Sequence, residues 1–196
     1  KRGIDDYLAA AGEARKVPLV NLQCDVDHPT QTLADLAWLN ERFPAGLRGR
    51  RVAVTWAYSP SYAKPLSVPQ GLITLLTRFG ARVTLAYPTH YRLTEEPLAA
   101  AERHAKTSGG AFTVTDDMDE AFRDAEAVYP KSWGPHDLML ERVEANRARD
   151  ARRMKDIESR ALARNADHRD WICDERRMGL TAGGEALYLH CLPADI

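Results

Sequence analysis

His28 and Gln31 stand three residues apart in CDVDHPTQTLADLAWL, and near the far end of the chain a histidine, a cysteine and a Leu-Pro pair follow one another in YLHCLPADI. Pro29 fits the first position of a helix, where no amide hydrogen is needed, so His28 is read as the helix cap. Gln31 then lies in the first turn, and Leu33 and Leu36 are expected to face inward. A helix start offers amide donors and the positive end of a dipole, which disfavours imidazolium; a neutral His28 donating one hydrogen bond suits that place. A histidine that merely caps a helix explains the same residues. In HCLP, proline restricts Leu192 to extended or turn conformations, and Pro193 has no amide hydrogen. Carbonyls left without ladder partners there can hold an amide-type NH2. The plainer alternative is a small buried Cys191 beside a satisfied His190. A Cys-His nucleophile is rejected, because neighbours on a strand point to opposite faces. A third cluster, YPKSWG, offers Lys131 to an anionic group, Ser132 as a donor and Trp133 as a pocket wall. A solvated lysine at a strand end is the competing reading.

Each cluster needs a strand end to carry it. Six short, β-rich runs bounded by turn residues read as strands: Val17 to Cys24, Arg50 to Tyr58, Arg82 to Pro88, Ala111 to Thr115, Glu126 to Pro130 and Glu185 to Pro193. Helical patterns separate the first five. The clearest is SVPQGLITLLTRFG, where Ser67 and Gln70 have capping-box spacing and Gly80 suits a left-handed stop. Repeated strand, helix, strand units imply right-handed crossovers and a doubly wound α/β fold, Rossmann-like, with a parallel sheet covered by helices on both faces. Ligands of such sheets bind beyond the carboxyl ends of the strands, where all three clusters fall.

Two stretches exceed that minimum. Trp56 to Pro69 is a long, Pro-punctuated loop at a strand's carboxyl end, suited equally to ligand binding and to a stiff surface connection. Asp137 to Ala166 reads as one long helix with a broken apolar stripe of Leu140, Val143, Ala151, Met154, Ile157 and Ala161. Its arginines alternate with Glu141, Glu144, Asp150, Asp156 and Glu158, and no aromatic residues punctuate it, so a solvated, ion-paired helix is expected rather than an RNA surface. The 196 residues carry 28% charged side chains and a formal net charge of -1, which argues against a nucleic-acid protein. No run reaches membrane-spanning length. The N-terminal KRGIDDYLAAAGEARKV is too charged for an export signal, making the cytoplasm the default. Three cysteines give neither a disulfide framework nor a zinc pattern, so reduced thiols and no metal are expected.

Taken together, NLQCDVDHPTQTLADL and YLHCLPADI resemble the aspartate/ornithine carbamoyltransferase superfamily, whose members share His-Pro-x-Gln and whose ornithine-type branch carries His-Cys-Leu-Pro. The Pro-rich loop, YPKSW and the helical excursion are similar to the knotted branch, over nearly the whole chain. The resemblance implies a deep trefoil knot, a homotrimeric parent, small-molecule substrates, and carbamoyl phosphate as co-substrate with no cofactor. It further implies that His28 and Gln31 contact the carbamoyl group, that Cys191 and the Leu192 carbonyl help hold it, and that Asn21 meets the amino-acid substrate. Lys131, Ser132, Trp133 and Pro193 are then substrate-binding candidates.

Departures from the family pattern matter as much. The phosphate-binding Ser-Thr-Arg-Thr-Arg signature is absent from the sequence. Residues 1–16 therefore read as a connecting helix from a missing N-terminal carbamoyl-phosphate domain, and residues 17–196 as the second, amino-acid-binding domain, truncated before its last helix and inactive alone. Ornithine enzymes carry an aspartate where this chain has Val128, which speaks against ornithine, while Lys131 favours a substrate with an extra carboxylate or acyl oxygen. Two other classes compete: a noncatalytic ligand-binding module, and a dehydrogenase domain, for which no Gly-x-Gly-x-x-Gly follows any strand.

Overall fold

The computed structural model describes residues 8–10 and 20–191. Its elements run α1 (Pro29–Arg42), β1 (Arg51–Trp56), α2 (Ser67–Arg78), β2 (Arg82–Ala86), α3 (Glu95–Ser108), β3 (Ala111–Thr115), α4 (Met118–Phe122), β4 (Ala127–Lys131), α5 (His136–Arg147), α6 (Ala151–Ala166), α7 (Glu175–Met178), a 3-10 turn (Ala182–Gly184) and β5 (Leu187–Tyr188). Five parallel strands form one sheet in the order β3-β2-β1-β4-β5. The expected doubly wound α/β architecture is present. Chain order runs outward from β1 to β3 and then jumps across to β4, so the topological switch point lies between β1 and β4.

Burial follows position in the sheet. The neighbouring strands β1 and β4 are almost continuously buried because both faces are covered. The edge strand β3 is half-exposed. α2 seals one face with Leu72, Ile73 and Leu76, essentially inaccessible, each contributing about 1.5–3 kcal/mol of burial. It ends at Gly80, whose φ of 83° supplies the expected left-handed stop.

Four local expectations are corrected. Residues 20–24 form no strand: Val20 and Leu22 are largely exposed, and the chain turns instead with Cys24 N donating to Asp27 O at 2.8 Å. β-propensity is expressed only against a partner edge, and this segment has none. Of the last strand, expected from Glu185 to Pro193, only Leu187 and Tyr188 are strand among the described residues. Leu187 and Leu189 donate to the Glu126 and Val128 carbonyls, each at 3.0 Å, but the next rung requires an N–H from Pro130, which has none. Ser67 and Gln70 do not form a capping box; Leu66 is the cap residue and Gln70 turns to the loop before α1. Leu33 faces outward, unlike Leu36.

The helical excursion is also two helices. Arg149 takes a left-handed φ of 54°, and the Asp150 side chain caps α6 by accepting from Arg153 N at 2.9 Å. Arg160 then pairs with Glu141 and Arg164 with Asp137, a register that makes α5 and α6 antiparallel. Their shared core is Leu138, Ala145, Ile157 and Ala161; Leu140 and Val143 of the expected stripe are exposed. The ion-paired reading of this region holds.

Candidate active site

The first rim of the site is made by contiguous residues. Pro29 opens α1, and His28 caps it: His28 Nδ1 accepts from Gln31 N at 3.3 Å. A nitrogen that accepts is unprotonated, so in the neutral ring the hydrogen sits on Nε2. Gln31 lies one helical turn before Asp35, and its Nε2 donates to Asp35 Oδ1 at 3.0 Å. The loop ahead of His28 is tied to α2 by Gln70 Nε2, which donates to the Asp25 and Val26 carbonyls at 3.2 and 2.9 Å. Gly71 allows that approach, since a Cβ there would collide with Asp27 Oδ1 and come within 2.7 Å of Thr32 Cγ2.

The second rim is the Pro-rich loop between β1 and α2, and distant residues hold it. Asn165, from α6 and almost inaccessible, donates through Nδ2 to Ser59 O at 2.9 Å and Ser61 O at 3.1 Å, while its Oδ1 accepts from the Tyr91 hydroxyl. Gly134 N donates to Lys64 O at 3.0 Å. Beneath the loop, Trp56 Nε1 donates to Trp133 O at 2.9 Å, and Trp133 Nε1 to Tyr91 O at 2.7 Å.

Between the rims, at the carboxyl ends of β1 and β4, lies a cavity of about 480 Å³. His28, Gln31, Lys131 and Cys191 all line it, with Gln23 on one side and Lys64 on the other. Lys131 is buried, and its Nζ donates to Ser132 O at 2.7 Å. The alternation of an extended chain sends the next residues elsewhere: Ser132 and His190 line a smaller cavity of about 210 Å³, with Tyr58 and Tyr188. Trp133 belongs to the core under the loop rather than to the pocket wall. Asn21 is exposed, its Nδ2 within 3.5 Å of Cys24 Sγ, and does not line the cavity. Leu192 and Pro193 lie outside the described residues. Asp35, Gln70, Lys64 and Asn165 are site residues that the sequence does not single out; Gln70 stands out there only for a cap that it does not make.

Electrostatics concentrate behind Gln31. Burial holds the Asp35 carboxyl above its ordinary pKa, and the bond from Gln31 partly opposes this. The Tyr129 hydroxyl, from β4, sits beside Asp35 and the Cys191 thiol without a well-formed hydrogen bond to either. Burial first, then those two neighbours, push its ionisation far above the usual range, leaving a neutral phenol. Cys173, in the smaller cavity, is raised by burial to about 11. Among the described residues no cluster of three or more His, Cys, Asp or Glu side chains is placed to hold a metal, and no helix is long and apolar enough to cross a membrane.

The arrangement presents a hydrogen-bond donor (His28), an amide (Gln31), a thiol (Cys191) and a cation (Lys131) to a small ligand at the switch point. Comparisons with known proteins agree with it. YgeW of Escherichia coli strain K12, provisionally named a carbamoyltransferase, is 55% identical over 195 residues, covering 98% of this chain and 49% of that protein. An N-acetylornithine carbamoyltransferase of Xylella fastidiosa strain 9a5c is 34% identical over 181 residues, 90% of this chain and 47% of its own length. A crystal structure of a variant N-acetyl-L-ornithine transcarbamylase, complexed with carbamyl phosphate and N-succinyl-L-norvaline, superposes with a TM-score of 0.79 at 30% identity, covering 98% of this chain and 53% of its own. The chain thus spans about half the length of the relatives it matches. Residues 66–196 match the Asp/Orn binding domain of aspartate/ornithine carbamoyltransferase, and with β1, β4 and the conjoined rims already in place the chain belongs to that carbamoyltransferase family.

Proposed function

We propose that this chain is the amino-acid-binding half of a two-domain carbamoyltransferase, which moves a carbamoyl group between carbamoyl phosphate and the amino group of an amino-acid-like or ureido substrate. The observation that carries this reading is the convergence of His28, Gln31, Lys131 and Cys191, from opposite parts of the sequence, on one cavity at the switch point. In the biosynthetic direction a neutral amine attacks the carbamoyl carbon, the C–O bond to phosphate breaks, and the amine proton leaves with the phosphate. Charge develops on the carbamoyl oxygen, which His28 Nε2–H is suited to stabilise, while the Gln31 oxygen is suited to hold the NH2, joined, on the family resemblance alone, by Cys191 and the Leu192 carbonyl. His28 is thereby an electrophilic donor and need not act as a base. Lys131 favours a substrate bearing a carboxylate or acyl oxygen. The apolar, inaccessible Val128 gives nothing to the cationic end of ornithine.

In the same reading residues 1–16 lead in from a carbamoyl-phosphate domain, residues 17–196 form the second-substrate domain, the chain carries the knot of its branch, and the parent is a cytoplasmic homotrimer. These points rest on the family resemblance. A phosphate-dependent assay of the two-domain protein against a panel of ureido compounds, run in both directions, tests the central claim. Phosphate-dependent cleavage of at least one acidic ureido compound is expected. Binding of such compounds without any turnover would instead establish the noncatalytic module.

A further inference from the structure

Asp35 stands one helical turn behind Gln31, only 9% exposed. Its Oδ1 accepts the Gln31 Nε2 hydrogen at 3.0 Å, and its Oδ2 has no well-formed hydrogen bond, with the Tyr129 hydroxyl its polar neighbour. An incompletely satisfied carboxylate is costly at a buried position, where leucine would fill the same space more favourably. The donor and acceptor inventory supplies a use for it. A carboxylate only accepts, so it dictates which end of the Gln31 amide turns toward it; the nitrogen faces Asp35, and the oxygen is the end left for the cavity that Gln31 lines. A neutral amide at position 35 would tolerate either orientation.

We propose that Asp35 is a positioning residue that locks the Gln31 amide with its oxygen toward the ligand, so that the cavity selects a ligand N–H, the carbamoyl NH2, over an isosteric acyl group with a methyl there. The identity of the ligand rests on the carbamoyl-transfer reading; the lock itself does not. Tyr129, a neutral phenol beside both Asp35 and Cys191, closes the far side of the lock.

In the two-domain protein Asp35→Asn keeps the shape and an acceptor but frees the Gln31 amide to flip. A fall in kcat of about tenfold is expected, with the KM for the amine within about twofold and the melting temperature at neutral pH raised, because a buried charge has gone. Gln31→Glu places two carboxylates together and should be worse. Adding Asp35→Asn to it gives the new amide a carboxylate to donate to and leaves an acceptor facing the ligand, so the double variant should recover about tenfold over Gln31→Glu alone. An unchanged kcat in Asp35→Asn, a loss of kcat that merely tracks loss of melting temperature, or a double variant no better than Gln31→Glu overturns the proposal. A two-domain protein that turns nothing over would sink the carbamoyl-transfer reading and not the lock, which a second measurement, independent of turnover, decides on the same protein. The Gln31 side-chain amide protons, followed by nitrogen-edited NMR, should show one slowly exchanging, hydrogen-bonded proton that Asp35→Asn releases; a signal indifferent to that substitution overturns the lock.

Discussion

The two rims of the cavity are built on different principles. His28 and Gln31 are placed by a helix start, within four consecutive residues, through a proline at the first helical position and one side-chain cap. The Pro-rich loop opposite is placed by Asn165, more than a hundred residues away, through two bonds to its carbonyls and a third to Tyr91. Chemistry that depends on a spacing can be carried by a short motif. A wall that depends on the docking of an antiparallel helix pair cannot, and it inherits the stability of that docking.

The contrast breaks most readily at His28. His28→Asn retains a capping side chain, so stability should change by less than about 1 kcal/mol while kcat of the two-domain protein falls by about a hundredfold, the loss typical of one donor to a developing oxyanion. Full turnover in that variant would remove the first rim from the mechanism. Asn165→Ala should do the reverse: about 3 kcal/mol lost in urea unfolding, since buried groups at three contacts lose their partner, with KM for the amine raised more than kcat is lowered. A variant equally stable would show that α6 is not what holds the loop. Lys131→Met comes next, weakening acidic ligands by about tenfold in calorimetric titration and leaving ornithine unaffected; equal weakening of both would deny Lys131 its selectivity.

The smallest effect separates the site from the surface. Asp119, outside both rims, is held below its ordinary pKa of 3.8 by hydrogen bonds from Arg176 and then Arg177. A depressed pKa gives stability that is complete above the unfolded value and is lost as pH falls through the folded one. Asp35 has the opposite sign: its raised pKa means stability is lost as pH rises from 3.8 through the folded value. Melting curves from about pH 3 to 8 should therefore show Asp119→Asn flattening the acid limb, and Asp35→Asn raising the plateau at neutral pH. Two variants that move the same limb would contradict this division between ion-paired surface and strained site.

Much of the fold was legible because its signals are local. Alternating strands and helices, the left-handed stop at Gly80 and the cap at His28 each depend on a few neighbouring residues, and each is present. Misreadings arose where a partner was required. Val17 to Cys24 has strand composition but its described residues join no strand, and the strand expected from Glu185 to Pro193 stops because Pro130 of the adjacent strand lacks an N–H. In the sequence Asp150 reads as one more charge on a long helix, whereas in the structure it caps a second one.

Residue types at short spacing determined the chemistry on offer: a capped helix start bearing His28 and Gln31, a cation at Lys131, a thiol at Cys191. Tertiary structure alone decided that these meet, that alternation along the extended chain sends Lys131 and Cys191 to one cavity and Ser132 and His190 to another, and that Asn165 holds the far wall. The physical reason is reach. Caps and turns are settled within a few residues, whereas a pocket wall is a hydrogen bond between segments that only the packed sheet brings within 3 Å of one another.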